Sequence, residues 1–143
     1  MPWGLLDPRL LDLAKNFEGN ADHAVLTGFR RLEDLVRAKL DRDAPEGRAI
    51  ATAFSFSGDR SQLHWEGLSA GEHAGRAQLF TGAYGAFRNP RAHKELDTSG
   101  HELLQQFLLL NLLYPLEVAA VRRPPGDDDQ ALGSNDKAQG KPR

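Results

Sequence analysis

Between Leu103 and Val121, 14 of 19 residues are apolar, so a helix built from them is apolar nearly all round. A helix of that kind is stable in water only when neighbours cover it on most sides. Gln105, Gln106, Asn111, Pro115 and Glu117 interrupt the run. An uninterrupted membrane span needs about 20 mostly apolar residues, so the expectation is a buried bundle helix and no membrane partner. The rest of the chain must then supply the cover.

It has the patterning to do so. Asp7-Pro8 reads as an N-cap followed by proline at the first helical position. Leu10, Leu13, Ala14 and Phe17 mark one face, and Gly19-Asn20 is expected to stop that helix. From about Asp22 to Leu40, Val25, Phe29, Leu32, Val36 and Leu40 follow helical spacing and form one stripe. Glu33 and Arg37 on its flank are placed to pair across one turn. Arg48 to Phe56 is a short apolar piece that fits helix or strand. The connection from Ser57 to Ser69 is irregular, with Leu63 and Trp65 expected to pack down over the bundle.

The third main helix is expected over Ala70 to Phe87, with Leu79, Phe80, Ala83, Tyr84 and Phe87 inward. Gly82 and Gly85 each disfavour it by about 1 kcal/mol relative to alanine, and close approach of another helix backbone is one reason to tolerate them. Ser99 with Glu102 three residues on is a capping box. It opens the fourth main helix, which runs to about Val121 with a bend near Pro115. After Arg122 the segment beginning Pro124-Pro125-Gly126 has few apolar residues and balanced charge, the composition of a disordered tail. The expected organisation is an all-α, four-to-five-helix bundle over residues 1–122 and a polar tail over 123–143.

Composition removes several classes of function. The 143 residues include no cysteine, which excludes disulfides, thiolate metal sites and cysteine nucleophiles. A formal charge of −2 argues against a wide basic surface coating nucleic acid. The opening residues lack the basic flank and apolar run of a signal peptide, so a cytoplasmic location is expected. No glycine-rich phosphate loop, serine elbow or basic helix–turn–helix is visible, and no cofactor is called for. His93, Asp97 and His101 recur at four-residue intervals, but the Ser99 cap breaks the helix that a metal site would need. His23 and His73 read as surface residues at helix beginnings.

The densest chemistry lies at Arg88-Asn89-Pro90-Arg91-Ala92-His93, followed by Lys94. Arg88 offers a permanent charge and a planar donor fork suited to phosphate, and His93 can exchange a proton near neutral pH. Pro90 and the Ser99 cap suggest that the motif sits in a constrained turn beside a helix start able to help hold an anion. The plainer reading is that Arg88 pairs with a carboxylate, Glu33 or Glu95, and that His93 caps or packs.

This motif resembles the arginine, polar residue, three variable residues, histidine signature of the HEPN superfamily. The stretch Leu79-Phe80-Thr81-Gly82-Ala83-Tyr84-Gly85-Ala86-Phe87 before it is similar to the Ymh-type branch. So are Ala49 to Phe54 and Phe29-Arg30-Arg31-Leu32-Glu33, and the likeness covers residues 5 to 122. It implies a HEPN-type helical bundle that forms a homodimer and, in catalytic members, cleaves RNA without a metal. By position, Arg88, Asn89 and His93 are the implied catalytic residues, with Arg91 and Lys94 as substrate contacts. The resemblance also implies a toxin or phage-defence setting with an antitoxin or defence-system partner. Its alternative is a non-catalytic RNA- or protein-binding module.

Overall fold

The sequence signals for helix starts are used as written. In the computed structural model, which describes residues 1–41, 44, 47–54, 61–93 and 98–124 (for 92 and 93 the backbone only), Asp7 Oδ1 accepts the Arg9 backbone N–H at 3.0 Å. The 3-10 turn Pro8–Leu10 that follows leads into α1 (Leu11–Lys15). The first break comes at Asn16 (φ −104°, ψ 13°), earlier than expected, where the side-chain amide donates to the Asp12 carbonyl. Helix α2 (Phe17–Arg37) follows at once, with Asn20 non-helical inside it (φ −148°, ψ 42°). Gly19-Asn20 therefore kinks a helix where a stop was expected, because the apolar positions on both sides still find the same core.

That core is organised by α2 and α6 (Gly100–Ala119), which pack along one another. Val25, Phe29, Leu32 and Val36 of the expected stripe are fully buried, facing Phe107, Leu110, Leu113 and Tyr114 in the same core. Gly28 allows the close crossing, since a Cβ there would lie 2.3 Å from Leu110 Cδ2 and that side chain would have to shift. Two buried tyrosines bind neighbouring carbonyls of α2. Tyr114 Oη donates to Gly28 O and Tyr84 Oη to Phe29 O, each at 2.8 Å. A carbonyl has a second lone pair beyond its helical bond, so neither hydroxyl is buried unsatisfied.

The ambiguous apolar piece is a helix, α3 (Ala49–Ala53). Leu63 and Trp65 pack down as expected, with Trp65 stacked on Phe54 at 4.9 Å and its indole N–H bonded to Leu116 O at 2.8 Å. Here the fold departs from pure helix. β1 (Leu63–His64) pairs antiparallel with β2 (Val121–Arg122), which ties the end of α6 across the bundle. Arg123 extends that tie through its backbone N–H to Gln62 O at 2.8 Å. The tail expected from 123 onward lies outside the described residues from position 125.

Helix α6 starts with the expected capping box, Ser99 and Glu102 each bonding the other's backbone N–H, and carries Pro115 inside it. Near its end Glu117 is buried and ion-paired to Lys39 at 2.8 Å and Arg9 at 3.3 Å. Among the described residues, no helix is long and apolar enough to cross a membrane. Helix α4 (Ala70–Ala83) opens with a second capping box, Ser69 and Glu72, and buries Phe80 and Ala83. Within the protomer, a Cβ at Gly82 or Gly85 would meet nothing within 4 Å among the described residues. Those glycines face away from the bundle.

Candidate functional site

The chain does not turn after Phe87. Helix α4 widens into a π-helical turn, Tyr84–Arg88, and continues as α5 (Asn89–His93), so the motif is helical where a constrained turn was expected. Proline inside a helix lacks the N–H for the i−4 bond and crowds the i−4 carbonyl. The residue before a proline also disfavours the helical region. Asn89 nevertheless holds φ −62° and ψ −43°. The π turn shifts the hydrogen-bond register just before Pro90, giving the ring a place that a regular helix lacks. Single π turns of this kind are rare and often occur at functional sites.

Helix α2 fixes this segment by charge. Arg88 Nη2 lies 3.2 Å from Glu33 Oε2, and the two side chains are 13% and 5% exposed. Glu33 Oε1 also accepts from Arg37 Nη2 at 3.1 Å, the one-turn pair that the sequence suggests. A buried carboxylate is thus shared by two guanidiniums, one of them the motif's. Arg37 has a second partner in Asp34 at 2.8 Å. Tyr84 is wedged beside the pair. Burial, then the Glu33 charge, pushes its phenol far above the ordinary tyrosine range, so it remains a proton donor to Phe29 O.

Arg91, expected as a substrate contact, is buried, with its Nε 3.3 Å from Asp22 Oδ1. Arg88 Nε and Arg91 Nε and Nη2 are buried with no hydrogen-bond partner among the described residues. Asn89 is exposed. His93 ends α5, and only its backbone is described. Lys94 and Asp97 lie outside the described residues. The structure therefore pairs Arg88 with Glu33 and Arg91 with Asp22, at two separate points along α2. The start of α6 is already occupied, because Glu102 Oε2 and Ser99 Oγ fill its capping box. Among the described residues, no three His, Asp or Glu side chains are grouped to hold a metal ion.

A second polar cluster had no sequence signal, because its members are 12 and 62 positions apart. Ser61 Oγ lies 3.1 Å from His73 Nε2, and Arg123 Nη2 donates to the same Oγ at 3.3 Å. His73 is buried, not at the surface as its place near a helix start suggests. Desolvation, then the charges of Arg123 and His64, lowers its pKa from the ordinary value of 6.5. The cluster fastens the chain after β2 to α4, one helix upstream of the motif.

A family model described as "Protein of unknown function (Hypoth_ymh)" matches residues 6–115. No curated protein and no solved structure gives a significant match.

Proposed function

The chain belongs to the Ymh family of proteins of unknown function, and we propose that it is a HEPN-type RNA-acting domain working as a metal-independent endoribonuclease. The observation that carries this reading is the π-helical turn ending at Arg88, which presents the motif's arginine on a carboxylate tether. In the proposed reaction the RNA 2′-hydroxyl attacks the adjacent phosphorus and the 5′-oxygen leaves. His93 of one protomer takes the 2′ proton, and His93 of a second copy protonates the departing oxygen. Arg88 meets the charge that builds on the phosphate oxygens, its Nε being without a hydrogen-bond partner among the described residues. Asn89, exposed beside it, orients the phosphate. The products are a 2′,3′-cyclic phosphate and a 5′-hydroxyl, and DNA is left intact. Such an activity suits a toxin or phage-defence role with an antitoxin or defence-system partner.

A homodimer is supported by the face of α6 turned outward, where Leu112 is 51% and Val118 61% exposed. The Arg88–Glu33 pair favours a second reading, a non-catalytic binding module in which Arg88 only secures α5 to α2. Cleavage of an end-labelled RNA pool in excess EDTA, comparing wild type with His93→Ala and Arg88→Ala, separates them. Chelator-resistant cutting that leaves cyclic phosphate ends and is lost in both variants is the expected result. No cutting by a folded, dimeric wild type selects the binding module.

A further inference from the structure

The two tryptophans are used in opposite ways. Trp65 is in the core, stacked and hydrogen-bonded. Trp3 stands 52% exposed on the 3-10 turn Trp3–Leu5, outside the buried core. It borders a cleft of about 670 Å³ between that turn, the α1–α2 junction and Leu104 of α6. The cleft exists because the chain breaks helical geometry twice, at Asn16 and at Asn20. Both carboxamides line it together with Lys15, and Glu18 is the acidic group present. Asn16 Nδ2 is engaged with the Asp12 carbonyl, which leaves Oδ1 to accept from a ligand.

An indole face, two carboxamides and an ammonium are the groups that hold an unpaired base and its phosphate. The ring stacks on any base, the amides read donor and acceptor edges, and the cation meets the backbone. An apolar peptide side chain would find mostly polar walls here. Helix α2 links the cleft to the motif. Asp22, two residues beyond Asn20, is the carboxylate facing Arg91.

Resting on the ribonuclease reading above, we propose that this cleft is a subsite for an unpaired base of single-stranded RNA flanking the scissile phosphate. Trp3 is its stacking platform, and Asn16 and Asn20 read the base edge. The site is built from the Trp3–Leu5 turn and the α1–α2 junction, away from the Arg88–His93 segment in sequence, and it sets which RNA is engaged without taking part in proton transfer.

The test uses the full chain and a 2′-O-methyl oligouridine, which lacks the nucleophile, so that binding is read without cleavage. Quenching of tryptophan emission and anisotropy of a labelled strand are followed for wild type, Trp3→Ala and Trp3→Phe. Trp3 is outside the core, so both variants are expected to fold. In wild type, emission falls on binding. In Trp3→Ala the quench disappears and the Kd rises about tenfold, and Trp3→Phe restores most of the affinity. Unchanged affinity in Trp3→Ala, binding without quenching, or no binding at all overturns the subsite. Running the same variants on cleavable RNA keeps the two readings apart. Cutting together with Trp3-independent binding sinks the subsite alone, whereas Trp3-dependent binding without cutting sinks the catalytic step alone.

Discussion

Glu33→Gln isolates the tether on the motif's arginine. The substitution keeps the shape of the side chain and removes its charge from a position 5% exposed. Its two partners lose unequally. Arg37 is one-third exposed and retains Asp34 at 2.8 Å, so water and a second carboxylate compensate it. Arg88 is 13% exposed, loses its ion partner and already has a buried Nε without an acceptor among the described residues. Breaking a buried pair by removing one member costs about 3–5 kcal/mol. Partial access of Arg88 to solvent puts the expectation at the low end, about 3 kcal/mol. For a domain of this size that corresponds to a fall in Tm of about 10 °C.

The assay is urea unfolding followed by circular dichroism, run as a cycle with Arg88→Gln and the double variant. The double variant should be more stable than the sum of the singles by about 1–3 kcal/mol, because the second change removes the stranded charge. A cost for Glu33→Gln below about 1 kcal/mol, with the two changes adding, refutes the tether. Arg88 would then be held by something other than this carboxylate. On RNA, loss of the tether should lower kcat more than it raises KM, since Arg88 remains present but no longer aimed.

Two further outcomes follow from the packing and from titration. Gly28→Ala places a methyl 2.3 Å from Leu110 Cδ2, so it should lower the urea midpoint by the equivalent of about 1–3 kcal/mol. The double variant with Leu110→Val should be less destabilised than the two singles predict. His73 has its folded pKa below the ordinary 6.5, so the unfolded chain takes up its proton first as pH falls. Its contribution to stability is complete above about pH 6.5 and is lost on acidification towards the lower folded value. Thermal unfolding between pH 7.5 and 5 should show that slope in wild type, and His73→Asn should flatten it.

The legible parts of the fold are those in which local pattern and tertiary demand coincide. The stripe from Val25 to Leu40 is buried as written, the Ser99–Glu102 box opens α6, and Glu33 meets both Arg37 and Arg88. What could not be read are features settled by long-range contact. The β1–β2 bridge joins residues far apart, and two-residue strands carry no period. The crossing of α2 and α6 is made at Gly28, which no spacing singles out. Pro90 argues locally for a stop, and the π turn that accommodates it is a register shift with no sequence signature of its own. Arg91 and His73 are buried against Asp22 and Ser61, partners distant in sequence that neither the motif nor a helix-start position reveals.

The burial of Arg91 and the helical course through Pro90 share one cause, which is the way α2 holds the motif segment. Asp22 and Glu33 are eleven residues apart, about 16 Å along the helix, while Arg91 and Arg88 are separated by a single turn. The two guanidiniums therefore reach in opposite directions along α2, with Tyr84 bonded to Phe29 O upstream of Glu33. A segment gripped at three points has less need of intrinsic helix propensity, which is how Gly85 and Pro90 are tolerated within it. The same grip ties the motif to the kink at Asn20, because Asp22 lies in the first turn beyond it. A ligand that reshapes the kink alters the carboxylate facing Arg91, whereas one that leaves α2 unchanged has no such route to the motif.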